Sequence, residues 1–200
     1  MTDAAEQWTA VILAGGRGHR LGDVEKAGLP LRGRSLLDHL LSQLPPEVPV
    51  IVVGPELQTM RPVTFVIEQP RYGGPVAGLA AALPLIATPG FALLATDMPR
   101  AGAVILGLIA MLNDEDEVLM PLDASGHRQH LCSALRTEAA RGALQRLASV
   151  TDVSMRDFMA LLRVREWQLT PEQSLLLRDV DTPEDLQRLH EEPERLRPEH

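Results

Sequence analysis

Apolar and polar positions along this chain fall into short blocks that alternate between two periods. Residues 9–14 (TAVILA) form an apolar, β-branched run that stops at Gly15-Gly16, which predicts a buried strand, central in a parallel sheet. About 18 residues rich in glycine and charge follow and read as a long loop. Residues 35–44 switch to helical spacing, with Leu36, Leu37, Leu40, Leu41 and Leu44 on one face, Ser35 as the cap and Pro45-Pro46 as the stop. Strands are predicted at 48–53, closed by Gly54-Pro55, and at 64–67. An Ala-rich helix follows at 76–86, then a strand at 91–95, a helix at 104–112 and a strand at 117–120. Strands alternating with helices at this spacing predict a single-domain, doubly wound α/β fold with a mostly parallel sheet and helices on both faces.

The second half is less regular. The pattern predicts strands at 131–135, 164–169 and 175–180, and helices at 138–147 and 155–162. Thr182-Pro183-Glu184-Asp185 opens a last helix, with Thr182 as cap, Pro183 in the first position and acidic residues in the first turn. One domain is expected over 1–190, followed by a polar, frayed tail at 191–200.

Composition narrows the picture. Hydrophobic residues are 45% of the chain but aromatics only 3%, so the core must be built from Leu, Val, Ile and Ala. A net charge of −8 without a basic stripe argues against a phosphate-backbone binder of nucleic acids. Cys132 is the one cysteine, so no internal disulfide forms and a reducing compartment fits. No basic leader precedes an apolar stretch and no apolar run approaches membrane-spanning length. The expectation is a cytoplasmic protein with no membrane partner.

Four segments carry chemistry. In Leu13-Ala14-Gly15-Gly16-Arg17-Gly18-His19-Arg20-Leu21-Gly22, followed by Lys26, glycines let backbone N–H groups approach phosphate oxygens, and Arg20 and Lys26 add positive charge. The spacing matches neither the Gly-x-Gly-x-x-Gly fingerprint nor the Lys-Ser/Thr phosphate loop; a solvated surface turn is the plain alternative. Leu93-Leu94-Ala95-Thr96-Asp97-Met98-Pro99 ends an apolar strand in a carboxylate, a hard oxygen ligand suited to Mg²⁺, or else a turn cap. Gly73-Gly74-Pro75-Val76-Ala77-Gly78 opens a helix with small residues that either admit a flat base or ribose or pack tightly on a strand. Asp179 and Asp181 alternate along an expected strand end, so they share a face and one is a candidate second metal ligand.

Taken in order, LAGGRGHRLG, Lys26, GGPVAG, TDMP and DVDTPEDL resemble the molybdenum cofactor guanylyltransferase family, within the nucleotidyltransferases that share one α/β fold. The resemblance spans about residues 10–189. It implies transfer of GMP from GTP to molybdopterin, with pyrophosphate released, by a monomer or weak oligomer that delivers its product to a molybdoenzyme or its chaperone. It further implies that Leu13, Ala14 and Gly15 hold the nucleotide, that Arg20 and Lys26 meet the phosphates, and that Asp97 binds Mg²⁺; Gly16, Gly18 and Gly78 are expected beside the nucleotide, and Asp181 is the expected second metal ligand. His130 stands where the family has a histidine facing the acceptor, and Asp179 and Asp181 are placed on that side too. Near the base the family carries Asn and Asp where Gly54 and Gln69 are placed here. Gln69 can offer guanine one acceptor, which admits guanine without enforcing it. The family tends to have Asn where this chain has Asp179 and Asp181, and the DVDTPED form is equally at home in related cytidylyltransferases. CTP in place of GTP, another phosphorylated acceptor, and a non-catalytic nucleotide-binding protein therefore stay open.

Overall fold

The computed structural model describes residues 8–15 and 24–192, together with Arg17 and Gly18; for 17–18 and 24–25 only the backbone is described. Seven strands make the main sheet. They are β1 (Trp8–Leu13), β6 (Val50–Val53), β7 (Thr64–Val66), β8 (Gly90–Ala95), β9 (Val118–Leu122), β10 (Cys132–Arg136) and β11 (Val164–Gln168). Two short ladders lie outside it: β2 (Arg17–Gly18) with β3 (Val24–Glu25), and β4 (Pro30–Leu31) with β5 (Arg34–Ser35). The helices are α1 (Leu36–Leu41), α2 (Pro75–Ala82), α3 (Gly102–Met111), α4 (Thr137–Gln145), α5 (Met155–Met159), α6 (Pro171–Leu175) and α7 (Pro183–Glu191).

The sheet order is β11-β9-β10-β8-β1-β6-β7. β1 lies at its centre, fully buried and paired in parallel with both β6 and β8. Alternation along β1 splits the molecule into two layers. Ala10 and Ile12 face a core closed by Leu37, Leu40 and Leu41 of α1 and Val104, Ile105 and Leu108 of α3. Val11 and Leu13 face a second core, closed by Val76 and Leu79 of α2, Ala140 and Ala143 of α4 and Phe158 of α5. This is the doubly wound arrangement that the pattern predicts. One strand, β10, runs antiparallel to both its neighbours, β8 and β9.

One predicted strand is absent. Residues 175–180 do not join the sheet. Thr170 accepts from the N–H of Gln173 while the Gln173 side chain accepts from the N–H of Thr170, and Pro171 takes the first position. That capping box starts α6, which runs only to Leu175. Leu176 and Leu177 bury into the α1–α3 core from irregular backbone, and Val180 packs against Leu31, Leu36 and Leu189. The expected tail lies outside the described residues from 193 onward. Among the described residues no helix is long and apolar enough to cross a membrane.

Candidate active site

A cleft of about 600 Å³ opens at the carboxyl ends of β1, β6 and β8, within the usual range for small-molecule sites. Ligands of open α/β sheets bind at such strand ends. Leu13, Ala14 and Gly15 lie along its floor, with Val53 of β6 and Ala95, Thr96 and Asp97 at the end of β8. Backbone hydrogen bonds lace these ends together: Ala14 N–H donates to Val53 O at 2.8 Å, and Thr96 N–H donates to Leu13 O at 3.1 Å.

The opposite wall comes from the start of α2. Gly74, at φ +90°, turns the chain into Pro75, and both line the cleft with Gly78. A Cβ on Gly78 would come within 3.2 Å of Val53 Cγ1 and 3.3 Å of Leu13 Cδ2. Gly78 therefore does two things, seating α2 on the sheet and keeping the cleft flat. Gly73 is buried behind it against Ala77 and Pro70. Glu68 and Tyr72 complete this wall, and a Glu68 oxygen accepts from the Tyr72 backbone N–H at 2.9 Å. A Cβ on Gly15 would lie 3.8 Å from that same oxygen, so the Glu68 carboxylate borders the glycine turn after β1.

A charged group occupies the third side. Lys26 begins a 3-10 turn whose Ala27 is fully buried, which directs the lysine into the cleft wall. Its Nζ donates to Asp181 Oδ1 and lies 3.8 Å from Asp97 Oδ2. Chain geometry brings these carboxylates together across 84 residues of sequence. Val180 N–H donates to Asp97 O at 2.8 Å, Val180 itself is fully buried, and Asp181 follows it immediately. Partial burial raises the Asp97 pKa above the ordinary carboxylate value, with Asp181 adding to the rise and Lys26 opposing it. Asp179 is exposed at its surface, yet desolvation by the surrounding chain, and then the charges of Asp97 and Asp181, hold it up at about 6. Three acids facing one ammonium leave excess negative charge, which suits a divalent cation. Among the described residues no three His, Cys, Asp or Glu side chains converge to hold a metal by themselves. A metal here would complete its shell with phosphate oxygens and water.

The residues singled out from sequence fall into three groups. Leu13, Ala14, Gly15, Lys26, Gly78 and Asp97 line the cleft, and Asp181 meets Lys26. Gly16 and Arg20 lie outside the described residues, and Gly18 is placed in the β2–β3 ladder, not in the cleft lining. Gly54, Gln69, His130 and Asp179 also lie outside the lining. Gly54 packs behind Ala14, where a Cβ would come within 3.1 Å. Gln69 is exposed, and its neighbour Glu68 faces the cleft instead. His130 sits half-buried just before β10, beside Leu131, which does line the cleft. Its enclosure, then Arg128 and Arg156, lower its pKa and favour the neutral ring. Asp179 is not on a strand and shares no strand face with Asp181, yet the charges of Asp97 and Asp181 both act to raise its pKa. Sequence reasoning missed Glu68, Tyr72 and Thr96. For Glu68 a signal existed: two residues past Val66 on an extended chain, it shares that residue's face.

The profile of the MobA-like NTP transferase domain matches residues 10–168. The chain is 37% identical over 145 residues to the molybdenum cofactor guanylyltransferase of Acidiphilium cryptum, covering 68% of this chain and 70% of that protein. To the probable molybdenum cofactor guanylyltransferase of Natronomonas pharaonis it is 29% identical over 204 residues, covering 92% of this chain and 96% of that one. The crystal structure of molybdopterin-guanine dinucleotide biosynthesis protein A from Archaeoglobus fulgidus superposes with a TM-score of 0.62 at 20% identity, covering 92% of this chain and 97% of that one; at that identity the likeness is one of fold.

Proposed function

Since the chain belongs to the MobA-like NTP transferase family and is a nucleotidyltransferase, we propose that it transfers GMP from GTP to molybdopterin, forming the guanine dinucleotide and releasing pyrophosphate. The observation that carries this reading is the cleft itself: glycine backbone, Lys26, Asp97 and Glu68 line one cavity at the carboxyl ends of β1 and β8. Glu68 favours guanine. A carboxylate only accepts, and guanine offers adjacent N–H donors on its pairing edge, whereas cytosine offers a single amino group there.

The chemistry asks for placement more than for proton transfer. The acceptor phosphate is already anionic near neutral pH, so no strong base is required. The barrier lies in bringing two anions together and stabilising the departing pyrophosphate. The N–H groups after β1 would orient the triphosphate for in-line attack, and Lys26 would neutralise phosphate charge. Asp97 and Asp181 would hold a divalent metal, read here as Mg²⁺, which when bound supplies Lewis-acid stabilisation of the phosphates. His130, whose enclosure favours the neutral ring and whose neighbour Leu131 lines the cleft, would serve the pterin side.

The test is pyrophosphate release with molybdopterin and either GTP or CTP, measured side by side. GTP should be used with clear preference. Glu68→Gln should narrow that preference by roughly tenfold or more, the scale of one lost base-reading pair. Equal or better use of CTP would overturn the guanine reading, and no release with either nucleotide would overturn transfer to this pterin.

A further inference from the structure

Among the described residues, the ammonium of Lys26 is the positive charge that meets Asp97 and Asp181. It is bonded to one of the two carboxylates suited to a metal and lies 3.8 Å from the other. The Lys26 side chain is only 17% exposed, so it is held in the wall and not free in solvent. A lysine that serves phosphates during reaction is thus committed to carboxylates before it.

We propose that Lys26 stands, in the nucleotide-free protein, in the place of the reaction's divalent cation, and that an arriving metal–triphosphate complex exchanges with it: Asp97 and Asp181 pass to the metal and Lys26 turns to the phosphate oxygens. This rests on the nucleotidyl-transfer reading above. The physical reason is charge balance. A metal ion arriving alone must displace the ammonium from its carboxylates and leave it beside a dication with no anion to receive it. A metal arriving with a triphosphate brings that anion along. Lys26 therefore opposes binding of free metal and favours binding of the metal–nucleotide complex, so both enter together.

The two halves of that statement have opposite signs, and the test reads both. Free Mn²⁺ binding is followed by the electron paramagnetic resonance of free Mn²⁺ without GTP, and binding of the preformed Mn²⁺–GTP complex by isothermal titration calorimetry, with no acceptor present, in the unmutated chain and in Lys26→Met. Without GTP the variant should bind Mn²⁺ at least about tenfold more tightly, the scale of one close charge–charge contact removed. With GTP it should bind the complex at least about tenfold more weakly, since a charge-assisted phosphate contact is gone. Lys26→Gln should repeat the reversal. In the unmutated chain, carbon NMR of the lysine ε positions should show the Lys26 signal moving on addition of Mg²⁺ with GTP but not of Mg²⁺ alone. A change of the same sign in both arms, or an unmoved signal with Mg²⁺ and GTP, overturns the exchange. If Mn²⁺–GTP binds tightly and free Mn²⁺ gains nothing in either variant, the exchange alone falls. If the unmutated chain binds neither, nucleotidyl transfer falls with it.

Discussion

Asp97 and Asp179 are neighbouring acids with different consequences. Asp97 closes β8, and its carboxylate faces both Lys26 and the cleft. Asp97→Asn keeps the shape and one acceptor while removing the charge. Nucleotide affinity should fall modestly, because glycine N–H groups and Lys26 remain. Turnover should fall about a hundredfold or more, because the lost charge matters most as the transition state forms. Single-turnover rates against nucleotide dissociation constants separate the two. Asp179 has a folded pKa of about 6, above the ordinary carboxylate value of 3.8. Folding thus takes up a proton between those values. The stability this gives is complete below 3.8 and is lost as pH rises through about 6. Asp179→Asn should therefore stabilise the metal-free protein at pH 8, with the gain fading as pH drops through that window. Urea unfolding across pH in a chelator checks it, and a constant difference would contradict it.

At the scale of elements, the site depends on how two segments end. β8 stops at Ala95, and α7 begins only after Thr182 accepts from Asp185 N–H while the Asp185 carboxylate accepts from the N–H groups of Asp181 and Thr182. The cap that starts α7 thereby also holds the backbone of Asp181, which carries Lys26. Thr182→Ala should cost about 1 kcal/mol of stability, as lost caps do. It should also loosen Asp181 and raise the metal concentration needed for half-maximal turnover. Thermal melts together with metal titrations of activity measure the two effects. If stability drops with an unchanged metal requirement, the cap has no hold on the site. The capping signals at Ser35 and Thr182 are plain in the sequence because capping is local chemistry. The capping box at Thr170 is equally local and starts α6, while the apolar stretch after it, whose spacing predicts a strand, buries as irregular chain.

For the whole molecule, the sheet is the platform on which the cleft rests. Two cores clamp it, and Phe91 is among the largest side chains with no exposure, in the core under α2, α4 and α5. Phe91→Ala should cost about 3–5 kcal/mol through lost burial and the cavity left behind. Because Phe91 lies near the amino end of β8, opposite Thr9 and away from Asp97, the fraction that stays folded should bind nucleotide normally. Denaturant titration and binding at low temperature test both halves. A large loss of affinity in folded protein would show that the cleft is not insulated from that core.

Local physics decided much of this protein before any fold formed. The burial of β1, the leucine face and Ser35 cap of α1, and the proline start of α7 follow from spacing and side-chain chemistry within a few residues, and so were legible in the order of the residues. The α/β class followed from their alternation. The Gly15 turn and Asp97 could be singled out as candidates because each directly follows an apolar strand. What sequence spacing does not encode is which strand ends meet. The antiparallel insertion of β10 between β8 and β9 arises from pairing across the sheet. The meeting of Lys26 with Asp181 depends on Val180 being pinned to Asp97 and buried under α7. Such contacts join residues far apart along the chain, and only the packing of both layers on one sheet determines them.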